Sequence, residues 1–155
     1  MLIKVSLAGA HMDSNQVAIV QKTFERVEEL ELEPSRIFYE ELFAAAPHLR
    51  PLFSADMNKQ YGMFIMAVPY CVGSLQQPEA IQARLEQLAI RHVGYGALPE
   101  HYTVVGGALQ RMLVRVLGED FTPDVAEAWS EAYAHLSGVM LAAVERHTMP
   151  VRKAS

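Results

Sequence analysis

Cysteine is almost absent from this sequence of 155 residues, in which Cys71 is the only one. A single cysteine excludes an internal disulfide framework and fits a reducing compartment such as the cytoplasm. Long apolar runs are also missing, so no segment predicts a membrane-spanning helix. Basic residues are not in excess, because the formal net charge is -5, and this argues against nucleic acid or an anionic membrane as a partner.

Repeats, low-complexity tracts and linkers rich in proline, glycine or serine are absent as well, and so are alternating strand patterns with hairpin signals. Apolar residues make up 51% of the chain, enough for one globular domain with a sizeable core. We place this domain at residues 13–148. A flexible leader or an artificial junction is expected over residues 1–12, and a flexible tail over residues 149–155.

Apolar residues recur with helical periodicity through nearly all of the sequence, most clearly over residues 104–117 and 125–143. Proline is favoured in the first turn of a helix, where no hydrogen bond is lost. Four prolines each precede an amphipathic stretch: Pro34, Pro78, Pro99 and Pro123. Thr122 is expected to cap the last helix. The sequence therefore predicts an all-α fold with six to eight helices.

Pro69 interrupts this pattern, because it lies within the apolar helical face that runs from Gln60 to Leu75. A proline in the middle of a helix costs about 3 kcal/mol. The helix is either kinked near Ile65 or split there. The apolar face resumes in phase after the proline, so we expect a kink.

His92 is the most informative single residue, since it ends an apolar helical stretch just before Gly94 and has no other metal ligand near it in sequence. A lone imidazole cannot build a zinc site, which needs three or four protein ligands. It can serve as the one protein ligand of an iron that a macrocycle already holds. Taken alone, the residue also fits a buried histidine that is hydrogen-bonded to a backbone carbonyl.

A set of residues upstream of His92 resembles the second and third helices of a globin. This set comprises Phe-Tyr-Glu-Glu-Leu-Phe at 38–43, then Pro47, then Arg-Pro-Leu-Phe at 50–53. The similarity is strongest to bacterial single-domain globins and to the haem domain of flavohaemoglobins, and it covers roughly residues 24–144. Further matching positions lie along the rest of the chain: Gln60, His92, His101, Tyr102, Val105, Gly106, Trp129 and Tyr133. The resemblance implies a globin fold around a haem pocket, with haem b as cofactor.

The resemblance also implies roles on both sides of the haem. His92 would be the proximal iron ligand, with its second ring nitrogen donating to a carbonyl or carboxylate. Phe53 would pack flat on the haem, and Tyr102 would belong to the proximal surroundings. Packing in the core is the alternative role for Phe53.

On the opposite, ligand-binding side the resemblance implies Tyr39 and Gln60, with Phe64 one helical turn beyond Gln60. Each has an ordinary structural alternative: Phe64 as core, Tyr39 with its hydroxyl in solvent, and Gln60 on the surface. No histidine stands at the ligand side, so a five-coordinate iron is expected in the ferrous state.

These roles imply reversible binding of oxygen and of other diatomic gases such as nitric oxide and carbon monoxide. Tyr39 and Gln60 would each contribute roughly 1.5–3 kcal/mol to a charge-assisted hydrogen bond, which favours high oxygen affinity. The alternative activity is nitric oxide dioxygenation, which would need a separate reductase because no phosphate-binding glycine motif follows a strand. A third interpretation is a haem-free helical interaction module. A monomer or a homodimer fits equally well.

One position departs from the flavohaemoglobin pattern. Those proteins carry a glutamate on the final helix that reaches the proximal histidine through a network with a tyrosine, and Tyr102 stands at the tyrosine position. Val144 stands at the position of the glutamate, and Glu145 is rotated about 100° further around the helix. The departure weakens the interpretation as an enzyme.

Overall fold

The structure is a computed structural model, and it describes residues 5–7 and 10–148. Six α-helices account for most of this part of the chain: α1 Ser14–Glu28, α2 Glu33–Ala45, α3 Met57–Gly73, α4 Pro78–Gly94, α5 Pro99–Leu117 and α6 Pro123–Thr148. Short 3-10 segments lie at Pro47–Leu52, Ser74–Gln76 and Gly118–Asp120. The predicted all-α fold with six to eight helices is confirmed.

Two short strands, β1 Val5–Leu7 and β2 Ala10–Met12, pair antiparallel ahead of the helices. Strand β2 packs against α6, and the Met12 side chain is buried. Each strand has three residues, too few to produce the alternating pattern that sequence analysis looks for. The expected mobility of residues 1–12 stays a prediction, and the expected tail at 149–155 lies outside the described residues.

The helix starts follow the local chemistry that the sequence predicted. Proline stands in the first turn of α2, α4, α5 and α6. The Thr122 hydroxyl accepts a hydrogen bond from the Val125 amide at 3.3 Å, as expected of a cap. At α1 the Asp13 carboxylate accepts from the Gln16 amide at 2.8 Å. Helix α3 continues through Pro69 and is not split there.

Most of the buried apolar residues belong to two separate clusters. The larger one joins α1, α2, α5 and the first half of α6, and includes Phe24, Leu42 and Met112. The smaller one joins the second halves of α4 and α6 through Ala89, Ala143 and Val144, with Val93 and Met140 packed against them. Helix α3 packs on α1 and α2, whereas α4 packs on α6, and α3 and α4 make little contact with each other. The core is therefore divided along the space between α3 and α4.

No helix within residues 10–148 combines the length and the apolar character that crossing a membrane requires.

Candidate functional site

His92 lies in the last turn of α4, on the side of the divided core that carries the smaller cluster. Its Nδ1 atom is 2.7 Å from the carbonyl oxygen of Leu88, one turn earlier on the same helix. A carbonyl only accepts hydrogen bonds, so Nδ1 carries the proton in the neutral ring and Nε2 keeps a free lone pair. This is the tautomer that a metal ion can bind through Nε2.

Among the described residues, His92 does not belong to a cluster of metal-binding side chains. Within the described residues, no group of three or more histidine, cysteine, aspartate or glutamate side chains could hold a metal ion. A metal at His92 would therefore have to bring its remaining ligands with it, as an iron porphyrin does.

Tyr39 is the centre of an aromatic cluster on the other side of the divided core. It is 6% exposed and lies on α2. The ring centroids of five aromatic side chains lie 5.0 to 6.1 Å from its own, namely Phe38, Phe43, Phe53, Tyr61 and Phe64. We call these six residues the Tyr39 cluster. The structure thus brings together three residues that the sequence proposed for the haem pocket, Tyr39, Phe53 and Phe64.

The Tyr39 hydroxyl is a hydrogen-bond donor without a partner among the described residues. Burial, with a further contribution from Tyr61, raises the pKa of Tyr39 to about 12. The phenol therefore remains protonated over the physiological range, and its O–H is available to a ligand that reaches it.

Gln60 and Phe64 stand one turn apart on α3, which begins after the Asp56 cap. The Phe64 ring stacks on Phe38 at 4.5 Å with an interplanar angle of 25°. Gln60 is half-buried, and its amide forms no hydrogen bond with another described residue. Because residues four apart share a helix face, Gln60 lies on the face that meets the Tyr39 cluster.

The loop that carries Phe53 is held by Arg50, whose role the sequence did not reveal. The Arg50 guanidinium donates to the Ser54 carbonyl at 3.0 Å and lies 5.4 Å from the Phe43 ring centroid. The Phe53 amide in turn donates to the Arg50 carbonyl at 3.2 Å. These contacts fix Phe53 at the corner between α2 and α3, where its ring meets Tyr39 edge-on at 75°.

Tyr61 is a second residue that sequence reasoning missed. Its ring lies 5.8 Å from that of Tyr39. Its carbonyl accepts a hydrogen bond at 3.2 Å from Ser35, which is fully buried on α2. The available signal was its spacing, since Tyr61 precedes Phe64 by three residues and so shares part of its helix face.

Tyr102, on α5, has a buried hydroxyl with no hydrogen-bond partner among the described residues. Burial raises the pKa of Tyr102. Its backbone carbonyl accepts a hydrogen bond from the Tyr133 hydroxyl, which ties α5 to α6. A buried and unpartnered phenol marks a place where a polar group from outside the chain would be accommodated.

Val144, and not a glutamate, stands at the position of the flavohaemoglobin glutamate, as the sequence indicated. Val144 is 9% exposed and packs with Ala89 in the smaller cluster, whereas Glu145 points to solvent. The nearby acid on α4, Glu86, pairs with Arg146 at 3.3 Å. The hydrogen bond of His92 Nδ1 therefore goes to a neutral carbonyl and not to a carboxylate.

These features together fit a haem. One ring nitrogen has a free lone pair, the core is divided next to it, and aromatic side chains with a spare phenol donor form the other side. The buried Tyr102 hydroxyl adds an unmet polar group on α5.

Comparison with known proteins agrees with these features. The family described as "Globin" matches residues 36–140, more than half of the chain. A flavohemoprotein of Deinococcus radiodurans is 33% identical over 129 residues, which are 81% of this chain and 32% of that protein. The chain spans about a third of the length of the curated relatives it matches.

Two solved structures show the same fold. A bacterial globin from Campylobacter jejuni superposes with a TM-score of 0.77 at 20% identity, covering 86% of this chain and 96% of its own. An engineered carbene transferase from Rhodothermus marinus, provisionally assigned as a nitric oxide dioxygenase, superposes with a TM-score of 0.76 at 24% identity, covering 86% and 94%. The globin fold packs its helices around a haem pocket. This chain belongs to the globin family.

Proposed function

We propose that this globin binds haem b through His92 and reversibly binds oxygen, with nitric oxide and carbon monoxide as further ligands. The observation that carries the proposal is the His92 tautomer, which leaves Nε2 free next to the divided core. A cytoplasmic location and a monomeric or homodimeric state belong to the same proposal.

Haem would supply an iron that His92 could hold and that could bind a gas molecule. The Leu88 carbonyl fixes the ring plane and the tautomer of His92. Phe53 and Phe64 provide apolar surface that excludes water from the ligand side. Tyr102 would offer its buried hydroxyl to the proximal surroundings.

Tyr39 and Gln60 are the donors on the ligand side. The protonated Tyr39 phenol and the Gln60 amide can each donate to a gas molecule that carries partial negative charge. A charge-assisted hydrogen bond contributes roughly 1.5–3 kcal/mol, and this corresponds to about tenfold to hundredfold slower release. We therefore propose slow oxygen dissociation and high oxygen affinity, which suit scavenging better than delivery.

The proximal side favours reversible binding over catalysis. A carboxylate at Nδ1 would increase the electron density that the histidine donates, and the chain has Val144 where such a carboxylate would stand. A neutral carbonyl partner polarises the imidazole less than a carboxylate would. The ring then anchors the cofactor without the electronic push that redox catalysis uses.

Nitric oxide dioxygenation is the second candidate. It is favoured by the similarity to flavohemoproteins and to the Rhodothermus marinus protein. In this case a separate reductase would be the partner that restores the ferrous state.

The decisive experiment compares ferrous absorption spectra without ligand, with oxygen and with carbon monoxide for the parent and for His92→Ala. The control variant is His147→Ala, which changes an exposed histidine near the end of α6. We expect the parent and the control to show the same Soret bands and the same ligand-dependent shifts, and His92→Ala to lose them. A parent that takes up no haem, or a His92→Ala spectrum identical to that of the parent, would refute the proposal.

A further inference from the structure

Tyr61 is the only one of the five neighbours in the Tyr39 cluster that carries a hydroxyl. The two tyrosine rings lie 5.8 Å apart at an interplanar angle of 46°. Tyr39 is buried, and Tyr61 is half-buried next to Gln60 at the start of α3. Two phenols therefore meet in a cluster whose other four members are phenylalanines.

The position of Tyr61 is set by helix α2 and not by its own helix alone. Ser35 is 0% exposed, and its Oγ donates to the Tyr61 carbonyl at 3.2 Å. Ser35 precedes Tyr39 by four residues, so both lie on the same face of α2. The hydrogen bond therefore fixes the backbone of Tyr61 one helical turn from the ring it contacts.

The Tyr39 phenol stays in its protonated form near neutral pH. Burial is the main cause of the raised pKa of Tyr39, and Tyr61 raises it further. A phenol has one proton to donate and lone pairs with which it accepts. A phenol that accepts a hydrogen bond becomes a stronger donor and loses rotational freedom of its own O–H.

We propose that Tyr61 is a positioning residue for the ligand side of this globin. Its hydroxyl donates to the Tyr39 oxygen, directly or through one bridging water, and this directs the Tyr39 O–H toward the gas ligand. The proposal rests on the proposed haem function. In this proposal both phenols slow oxygen release, but only Tyr39 contacts the ligand.

The test uses the haem-loaded chain of 155 residues and four variants: Tyr61→Phe, Tyr39→Phe, the double variant, and Tyr70→Phe as the control. Tyr70 is a tyrosine of the same helix that is 45% exposed and lies outside the Tyr39 cluster. Each substitution keeps the ring and removes one hydroxyl, so the packing of the cluster is retained. The measurements are the oxygen dissociation rate and the C–O stretching frequency of the carbon monoxide complex.

We expect Tyr61→Phe to speed oxygen release by about 3-fold to 10-fold, the range of one neutral hydrogen bond, and to raise the C–O stretching frequency. Tyr70→Phe should change neither quantity. In the Tyr39→Phe background the Tyr61 substitution should have no further effect, because its action passes through Tyr39.

Two results would overturn the proposal. One is a Tyr61→Phe variant with the parental release rate and stretching frequency. The other is an effect of Tyr61→Phe that is equally large in the Tyr39→Phe background, since Tyr61 would then contact the ligand itself. A protein that takes up no haem fails at an earlier step and refutes the proposed function, which distinguishes the two failures.

Discussion

Gly106 is a position where a single methyl group should destabilise the protein measurably. A Cβ atom there would lie 2.6 Å from Cε1 and 3.0 Å from Cδ1 of Tyr133. The ring cannot withdraw freely, because the Tyr133 hydroxyl donates to the Tyr102 carbonyl. Gly106→Ala must therefore displace either α5 from α6 or the ring from its hydrogen bond.

The size of the effect follows from three contributions. Overpacking costs about 1–3 kcal/mol. Loss of the hydrogen bond adds about 0.5–1.5 kcal/mol. Replacing glycine by alanine inside a helix returns about 1 kcal/mol. We expect the free energy of unfolding to fall by about 1–3 kcal/mol in total.

The adjacent glycine provides the control. A Cβ atom on Gly107 would meet the Nη1 atom of Arg111 at 3.1 Å, which is the mobile end of a long exposed side chain. Gly107→Ala should therefore keep or increase the stability, by up to about 1 kcal/mol from helix propensity. Urea unfolding of the two variants and the parent, followed by circular dichroism, gives the three free energies. If Gly106→Ala were as stable as Gly107→Ala, the close packing of Tyr133 on α5 would not be the reason for a glycine at 106.

Three further predictions concern the haem-loaded protein. The oxygen dissociation rate should be constant from about pH 7 to 9 in stopped-flow measurements, because the pKa of Tyr39 is raised to about 12 and its neutral form, the donor, persists below that value. A rate that rises between these limits would contradict this reasoning. Arg50→Ala should speed haem loss to an acceptor protein several-fold relative to Lys59→Ala, since Arg50 holds the Ser54 carbonyl beside Phe53. Equal rates for the two variants would show that the corner between α2 and α3 does not retain the cofactor. Val144→Glu should lower the haem reduction potential relative to Val144→Gln in a redox titration, because a carboxylate on the proximal side stabilises the ferric state. Equal potentials for the two variants would count against an electronic role for position 144.

The helices could be predicted from the sequence because their signals are local. Pro78, Pro99 and Pro123 mark helix starts that need nothing from the rest of the chain. The strand pair before α1 could not be predicted, since three residues per strand leave no periodicity to detect and pairing depends on contacts with α6. Local chemistry sets the ends of elements, and tertiary contacts decide whether very short ones form.

The candidate site could likewise be predicted only in part from the sequence. The absence of a carboxylate at Val144 followed from counting along one helix, and the structure places this residue in the core accordingly. The neighbourhood of Tyr61 depends on how α2 crosses α3, a relation that two separate segments of sequence do not contain. The contact of Arg50 with the Phe43 ring likewise arises only when the corner folds back on α2.

The division of the buried apolar residues bears on how the protein matures. The larger group, around Phe24, Leu42 and Met112, is complete without α4. We therefore expect the larger group to form before any cofactor arrives, with α4 held mainly by α6. Cells short of iron porphyrin would accumulate a folded precursor that is ready for loading, and amide hydrogen exchange in that precursor should be fastest along α4.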